Sequence, residues 1–161
     1  MTIPTKPTPK NRETVLAQLA HNQTIIAEKL AHVPESSAHI KPNPHEWSLI
    51  EVVSHLRSCA DLAQFRIFAM LAVDTPHLPA IHPRMDWQKI VPYSHLTLQK
   101  SLMAYTLQRE ELLITLRGLN EAGWMRTGIW DNHAYSIYLV ARTMALHEPE
   151  HFEQLDSLIP K

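Results

Sequence analysis

Two histidines near the end of the chain have the spacing of a metal-chelating pair. His147 and His151 are four residues apart, so on a helix their side chains lie one above the other on the same face. Two imidazoles at this spacing can hold one divalent ion, although catalytic sites usually have about three protein ligands. The same spacing also suits histidines that simply pack in or beside the core, so the pair alone leaves both interpretations open.

A third histidine, His55, belongs to a different predicted helix. Apolar residues recur three positions before it and four and seven positions after it: Val52, Cys59 and Leu62. This pattern places His55 at the edge of an inward helix face. One histidine from this helix and two from another form a facial ligand set with positions left open for water, whose pKa a metal lowers. We therefore predict a metal site formed by His55, His147 and His151.

Cys59 is the only cysteine in the chain, which excludes an intramolecular disulfide and a zinc cluster built from several cysteines. It lies four residues after His55 and could act as a fourth ligand. A buried cysteine more often packs as a small apolar residue, and from the sequence we favour that interpretation. A nucleophilic Cys59 is also disfavoured, because a thiol buried on a helix face is hard to activate.

The segment from His147 to His151 reads His-Glu-Pro-Glu-His and matches the zinc-protease signatures H-E-x-x-H and H-x-x-E-H. Pro149 argues against a protease, because proline inside a helix removes an N–H donor and kinks the helix. The kink is also expected to weaken the metal site by turning His147 away from His151. Glu148 and Glu150 are predicted to be solvated residues flanking the site, either of which could support a ligand.

Four helices are predicted to position these residues. The first covers residues 12–32. The second begins at Ser48, where Ser48 and Glu51 have the pattern of a capping box, and continues to about Ala72. These two helices are joined by a polar, proline-containing stretch at residues 35–46.

The third helix is predicted to be capped by Ser94 and to end near Gly118, and the last to be capped by Ser136. One face of the last helix shows helical spacing through to the end of the chain: Ile137, Val140, Met144, His147, His151, Leu155 and Leu158. Because four long helices in one short chain pack best around a shared core, the sequence predicts an all-α four-helix bundle.

A long connection between the second and third helices, residues 74–93, contains four prolines, and loops of this length often cover a binding site. The residues in it that could cover the metal are His82, Arg84, Asp86 and Trp87. Arg84 could hold an anionic group, although a surface arginine is the commoner case. Residues 124–135 are predicted to be irregular apart from a short extended piece around Ile129 and Trp130, with His133 and Tyr135 as candidate pocket residues. The four tryptophans are expected to anchor the core and loops.

Composition excludes several classes of protein. The 161 residues carry a net charge of −1 and no basic cluster, so a nucleic-acid partner is not expected. Only three glycines are present, all within residues 118–128, which argues against a Gly-rich phosphate loop and against an all-β fold built on tight turns. We find neither a signal peptide nor a run of about 18 apolar residues, and expect a cytoplasmic protein outside the membrane. Residues 1–10 are predicted to be a flexible arm and residues 11–161 a single domain.

Two segments together resemble the DinB-like superfamily of four-helix-bundle proteins, which includes YfiT-like metal-dependent hydrolases. Residues 46–56 resemble its W-S-x-x-E-x-x-x-H-L segment, and residues 147–155 its H-x-x-x-H-x-x-Q-L segment. The resemblance covers roughly residues 12–158. It implies that His55, His147 and His151 are the ligands of a divalent metal, nickel or zinc, with water at the remaining positions.

The resemblance implies a metal-dependent hydrolase, or a transferase of a low-molecular-weight thiol such as bacillithiol, mycothiol or glutathione, acting on a small molecule. The alternative is a non-enzymatic stress-response or binding bundle with a structural metal or none, because fold and metal do not fix a reaction. A homodimer formed through an exposed helix face is also plausible. The residues predicted to support the ligands or line the pocket are Glu51, Cys59, Arg84, Trp87, His133, Glu148 and Gln154.

Overall fold

Eight helices and one hairpin make up the computed structural model, which describes residues 2–160. In chain order the helices are α1 (Pro9–Leu30), α2 (Glu35–Ala38), α3 (Leu49–Ala72), α4 (Gln88–Ile90), α5 (Leu98–Arg117), α6 (Glu121–Met125), α7 (Ile137–His147) and α8 (Phe152–Leu158). A π-helical turn at Pro83–Trp87, 3₁₀ turns at Tyr93–His95 and Glu148–His151, and strands β1 (Thr127–Trp130) and β2 (His133–Ser136) complete the chain.

The four long helices form the predicted four-helix bundle, but consecutive helices are not all neighbours. Helices α1 and α3 each pack against both α5 and α7, so α1 and α3 lie diagonally across the bundle. An up-down-up-down bundle would place them side by side. Because of this order α3 packs directly on α7, which brings two helices that carry the predicted ligands together.

The core lies where the apolar faces of these helices meet. Fully buried side chains come from each of them, among them Leu19, Ile26, Leu56, Ile67, Leu112, Leu116, Ala141 and Ala145. Helix α3 buries residues on more than one face, because the turns at 83–87 and 93–95 cover the side that α5 and α7 leave open. None of the helices within residues 2–160 combines the length and apolar character needed to cross a bilayer.

Two of the predicted helix starts are confirmed and one is wrong. At the start of α3 the Glu51 carboxylate accepts from the Ser48 backbone N–H at 2.8 Å, and at the start of α7 the Ser136 hydroxyl accepts from a backbone N–H at 3.3 Å. Helix α5 is capped by Thr97 instead of Ser94. Ser94 belongs to a separate 3₁₀ turn, which the helical spacing of the sequence did not distinguish from α5.

The segment before α1 differs from the predicted flexible arm. Ile3 is only 1% exposed. Its carbonyl accepts from Arg142 Nε at 2.6 Å, and the Pro4 carbonyl accepts from the Tyr138 hydroxyl at 2.6 Å. One apolar side chain and two carbonyl groups therefore dock the segment onto α7, a contact that a lone isoleucine among prolines does not reveal in the sequence. Met1 lies outside the described residues.

The connection between α3 and α5 contains more structure than a plain loop. Its first part pairs with the hairpin, where the Leu78 N–H donates to the Ile129 carbonyl at 2.8 Å. Its second part is held on α3 by Tyr93, whose hydroxyl donates to Asp61 and accepts from Trp87 Nε1 at 3.0 Å. The long predicted connection is thus confirmed in position and packs as a cover over α3.

Residues 127–136 form an antiparallel hairpin where the sequence predicted mostly irregular chain. Asp131 and Asn132 make its two-residue turn with φ of 50° and 60°. A tight hairpin turn of this kind needs two left-handed residues, and Asn and Asp tolerate that conformation. The hairpin leads directly into α7 and forms one side of the cavity described below.

We expect Ile3→Ala to lower the free energy of unfolding by about 2–4 kcal/mol, because it removes a fully buried side chain that docks the N-terminal segment. Chemical denaturation would measure the change. Thr5→Ala, at an exposed position of the same segment, is the control and should have little effect. Equal stability of the two variants would show that the segment is not docked.

Candidate metal centre

The three predicted histidines converge between α3, the end of α7 and the turn that follows. The ring centroids are 5.3 Å apart for His55 and His147, 5.1 Å for His55 and His151, and 4.9 Å for His147 and His151. His55 Nε2 and His147 Nε2 are 3.2 Å apart. Three imidazoles from two distant parts of the sequence therefore pack together around one point.

Cys59 lies beside the same point. Its Sγ is 3.7 Å from both His55 Nε2 and His147 Nε2 and 3.9 Å from His55 Nδ1. Ligand atoms of these three residues all lie within 4.8 Å of one another, in a group that does not include His151. The side chain is 8% exposed, as the apolar interpretation of the sequence expects. Its neighbours, however, are two imidazole nitrogens, so the thiol is part of the cluster as well as of the core.

The outer nitrogens of two histidines are held by polar partners. His151 Nδ1 is 2.9 Å from Gln154 Oε1, and His147 Nδ1 is 3.3 Å from the Glu150 carboxylate. Because both partners are acceptors, the proton belongs on Nδ1 and the lone pair on Nε2, as in many histidine ligands. His151 Nε2 is buried and has no hydrogen-bond partner among residues 2–160. A buried nitrogen of this kind is destabilising unless another group engages it, and a metal ion would do so.

Pro149 ends the regular helix without separating the two histidines. Helix α7 stops at His147, and Glu148–His151 is a 3₁₀ turn before α8 begins. Pro149 lies in the first residues of that turn and has no N–H to donate to the Ala145 carbonyl four residues earlier. The Asn22 side chain donates to that carbonyl instead, at 3.1 Å. The expected break is therefore present, but the expected turning away of His147 from His151 does not occur in the structure.

Glu148 is the largest departure from the sequence prediction. We expected a solvated residue, yet it is 0% exposed. Its carboxylate accepts from Arg109 Nη1 at 3.0 Å, from Arg109 Nη2, from the Tyr105 hydroxyl at 3.0 Å and from Asn22 Nδ2 at 2.9 Å. It points into the bundle because α7 is covered by α1 as well as by α3.

Sequence analysis missed the partners of Glu148. One signal for them was present: Tyr105 and Arg109 are four residues apart in the apolar stripe of α5, and Leu112 follows three residues later. An arginine at a core position of an amphipathic helix requires a buried anion. Burial lowers the pKa of Arg109, but attraction to Glu148 and Tyr105 outweighs it and leaves the pKa above its usual value.

The same contacts argue against the protease hypothesis. In the matching signatures the glutamate activates a water on the metal. Both oxygens of Glu148 are instead occupied by donors from α1 and α5. The H-E-x-x-H match is therefore a coincidence of spacing between two ligand candidates and one core residue.

Burial keeps the central groups neutral. It lowers the pKa of His55 to about 4, and His151, His147 and Arg84 shift the pKa in the same direction. Burial also raises the pKa of Cys59 to about 12, with a further increase from the Glu148 charge. Near neutral pH His55 thus keeps its lone pair, and the free Cys59 thiol is a weak nucleophile, in agreement with the sequence prediction.

A cavity of about 370 Å³ opens next to the cluster. His55, Cys59 and His147 form part of its surface. Most of the rest is apolar or aromatic, and the residues concerned are Leu62, Ala63, Pro83, Trp130, Tyr135, Leu139, Val140 and Met144. Arg66, His82 and Thr143 supply the remaining polar groups. A mostly apolar cavity with a few polar groups suits a small organic molecule.

Three other predicted residues lie near the cluster but have different contacts. The Arg84 guanidinium is 4.7 Å from the centre of the Trp47 ring, and Trp47 packs 5.2 Å from His55. Glu51 caps α3 and pairs with Lys41 at 2.8 Å. These residues shape the surroundings of His55, and they are not part of the cavity surface.

His133 and Trp87 do not line the cavity. His133 is exposed, and its Nδ1–H donates to the Asp131 carbonyl at 2.6 Å. It lies on the same strand face as Tyr135, with the ring centroids 6.3 Å apart, but beside the hairpin turn, so Tyr135 reaches the cavity and His133 does not. Trp87 binds Tyr93 and helps to hold the cover on α3.

Comparison with known proteins places the chain in a family. The sequence matches the DinB superfamily over residues 18–155, and this four-helix-bundle protein belongs to that superfamily, as the resemblance implied. The fold is similar to that of YfiT from Bacillus subtilis, described as a probable metal-dependent hydrolase with an unusual four-helix bundle topology. The TM-score is 0.78 at 12% identity, with 98% of this chain and 91% of that chain covered. None of the curated proteins matches the sequence.

We expect Arg109→Met to lower the free energy of unfolding by about 3–5 kcal/mol, because it leaves the Glu148 charge buried without its partner. Thermal or chemical unfolding would measure the loss. Arg117→Met removes an exposed arginine from the same helix and should change stability little. A similar small effect for both variants would contradict the assignment of a structural ion pair.

Proposed function

We propose that this protein is a metal-dependent hydrolase that acts on a small, largely apolar molecule. The observation that carries the proposal is the convergence of three imidazoles with centroids 4.9–5.3 Å apart at one end of an apolar cavity. His55, His147 and His151 would hold a divalent ion, and imidazole ligands suit both zinc and nickel. Such an ion supplies Lewis acidity, which activates water at neutral pH and polarises a carbonyl group.

Other residues of the chain orient the histidine ligands and form the substrate-binding surface. Gln154 and Glu150 fix the orientation of the His151 and His147 rings through Nδ1. The apolar surface from α3 and α7 binds the body of the substrate and excludes water from that side. Arg66 lies on the cavity surface, and its guanidinium group can donate to a carbonyl or carboxylate of the substrate.

Arg66 also favours a second candidate, a transferase that uses a low-molecular-weight thiol. Glutathione and bacillithiol carry carboxylates, and a bound thiol is activated when a metal lowers its pKa. The Arg66 guanidinium is 4.5 Å from the centre of the Trp130 ring and donates to the Ile81 carbonyl at 3.0 Å. It is therefore held in place beside the cavity, where it could bind such a carboxylate.

We expect the protein, purified without a histidine tag, to contain about one divalent ion per chain. His55→Ala and His151→Ala should each lose most of it, because each removes one of three ligands. Elemental analysis would measure the content. His32→Ala, at an exposed histidine, is the control and should keep the metal. Undiminished metal in both ligand variants would refute the proposed centre.

We expect hydrolysis of small ester or amide substrates that requires the metal and falls by at least about 100-fold in His55→Ala, since the Lewis acid is then lost. A substrate screen with and without a chelator would measure it. Turnover that appears only when a thiol is added would favour the transferase. A fully metal-loaded protein that turns over neither class would instead support a structural metal.

A further inference from the structure

The Cys59 thiol lies where a further ligand of the proposed metal would lie. We propose that Cys59 coordinates the ion, so that the centre is a mixed histidine–thiolate site. The inference rests on the metal binding proposed above and changes the donor set. The sequence favoured an apolar role for this cysteine, whereas the structure places its sulfur against two imidazole nitrogens from different helices.

The distances fit coordination of one ion. Bonds of about 2.0–2.1 Å to nitrogen and about 2.3 Å to sulfur at tetrahedral angles separate two nitrogens by about 3.3 Å and nitrogen from sulfur by about 3.6 Å. The corresponding separations here are 3.2 Å between His55 Nε2 and His147 Nε2 and 3.7 Å from Cys59 Sγ to each. The three atoms thus have the mutual separations of three corners of a tetrahedron. Because Sγ is also 3.9 Å from His55 Nδ1, the His55 ring has to turn about its Cβ–Cγ bond to direct Nε2 at the shared ion.

His151 lies next to the other two histidines but outside this group of ligand atoms. Its ring contacts the rings of both, and its buried Nε2 has no hydrogen-bond partner within residues 2–160. A movement of this ring toward the ion would make His151 the fourth ligand. His55 and Cys59 are one turn apart on α3 and so present their donor atoms together, while His147 presents its Nε2 from α7.

A thiolate ligand changes which metal ion the centre prefers. Sulfur donors favour zinc, whereas imidazole alone suits nickel as well. When the Sγ–metal bond forms, the thiol S–H bond breaks and its proton leaves to solvent, so the thiolate neutralises part of the charge of the ion. With four protein ligands, a substrate would have to bind as a fifth.

The test uses Co²⁺ added to the metal-free full-length chain. We expect a near-ultraviolet charge-transfer band from thiolate to cobalt, and because the chain has one cysteine the band can come only from Cys59. Cys59→Ala and Cys59→Ser should lose this band but keep the visible cobalt bands. Their zinc affinity should fall by about 100-fold or more, since loss of a group that merely orients a ligand already costs about 10–100-fold.

Thr143→Val is the matched control, because Thr143 lines the same cavity and its hydroxyl already donates to Leu139. It should keep the charge-transfer band. Cobalt bound by the wild-type protein without that band would overturn the role of Cys59 and leave the proposed hydrolase standing. Failure of the wild-type protein to bind cobalt or zinc would overturn both. The wild-type spectrum decides the question even if the Cys59 variants fold poorly.

Discussion

The buried ion pair between Arg109 and Glu148 determines how the candidate site is built. Glu148 directly follows His147 and lies three residues before His151. Its carboxylate is drawn toward α5 and α1 by Arg109, Tyr105 and Asn22. With Glu148 fixed on that side, the residues on either side of it are directed toward α3. A charge pair in the core thus sets the direction of two histidines that never touch it.

This arrangement also explains how Pro149 is tolerated between two ligand candidates. Proline disrupts a helix because a hydrogen bond is lost and its ring clashes with the carbonyl group four residues earlier, which bends the chain there. Here the bend is fixed on one side by the Glu148 contacts and on the other by Gln154, which holds His151. The 3₁₀ turn at Glu148–His151 takes the place of a regular α-helical turn, and its contacts fix its conformation. His147 and His151 therefore keep fixed positions although the α-helix is interrupted between them.

The sequence predicted the parts of the fold that depend on local chemistry. The start of α3 follows from Ser48 and Glu51, and the inward face of α7 follows from its helical spacing. The three histidines could be selected because their helix faces are regular. Glu148 could not be assigned to the core from its own neighbours, because its burial depends on Arg109, 39 residues away. The docking of Ile3 and the position of Cys59 likewise depend on contacts between distant segments, which no short pattern contains.

The N-terminal segment has a consequence for the order in which the protein is assembled. Ile3 and Pro4 bind Arg142 and Tyr138, residues 139 and 134 positions further along the chain. These residues have no docking partner until α7 has been synthesised and folded. Docking of the segment before α1 therefore joins two parts of the chain that are far apart in sequence, and it depends on α7 being in place.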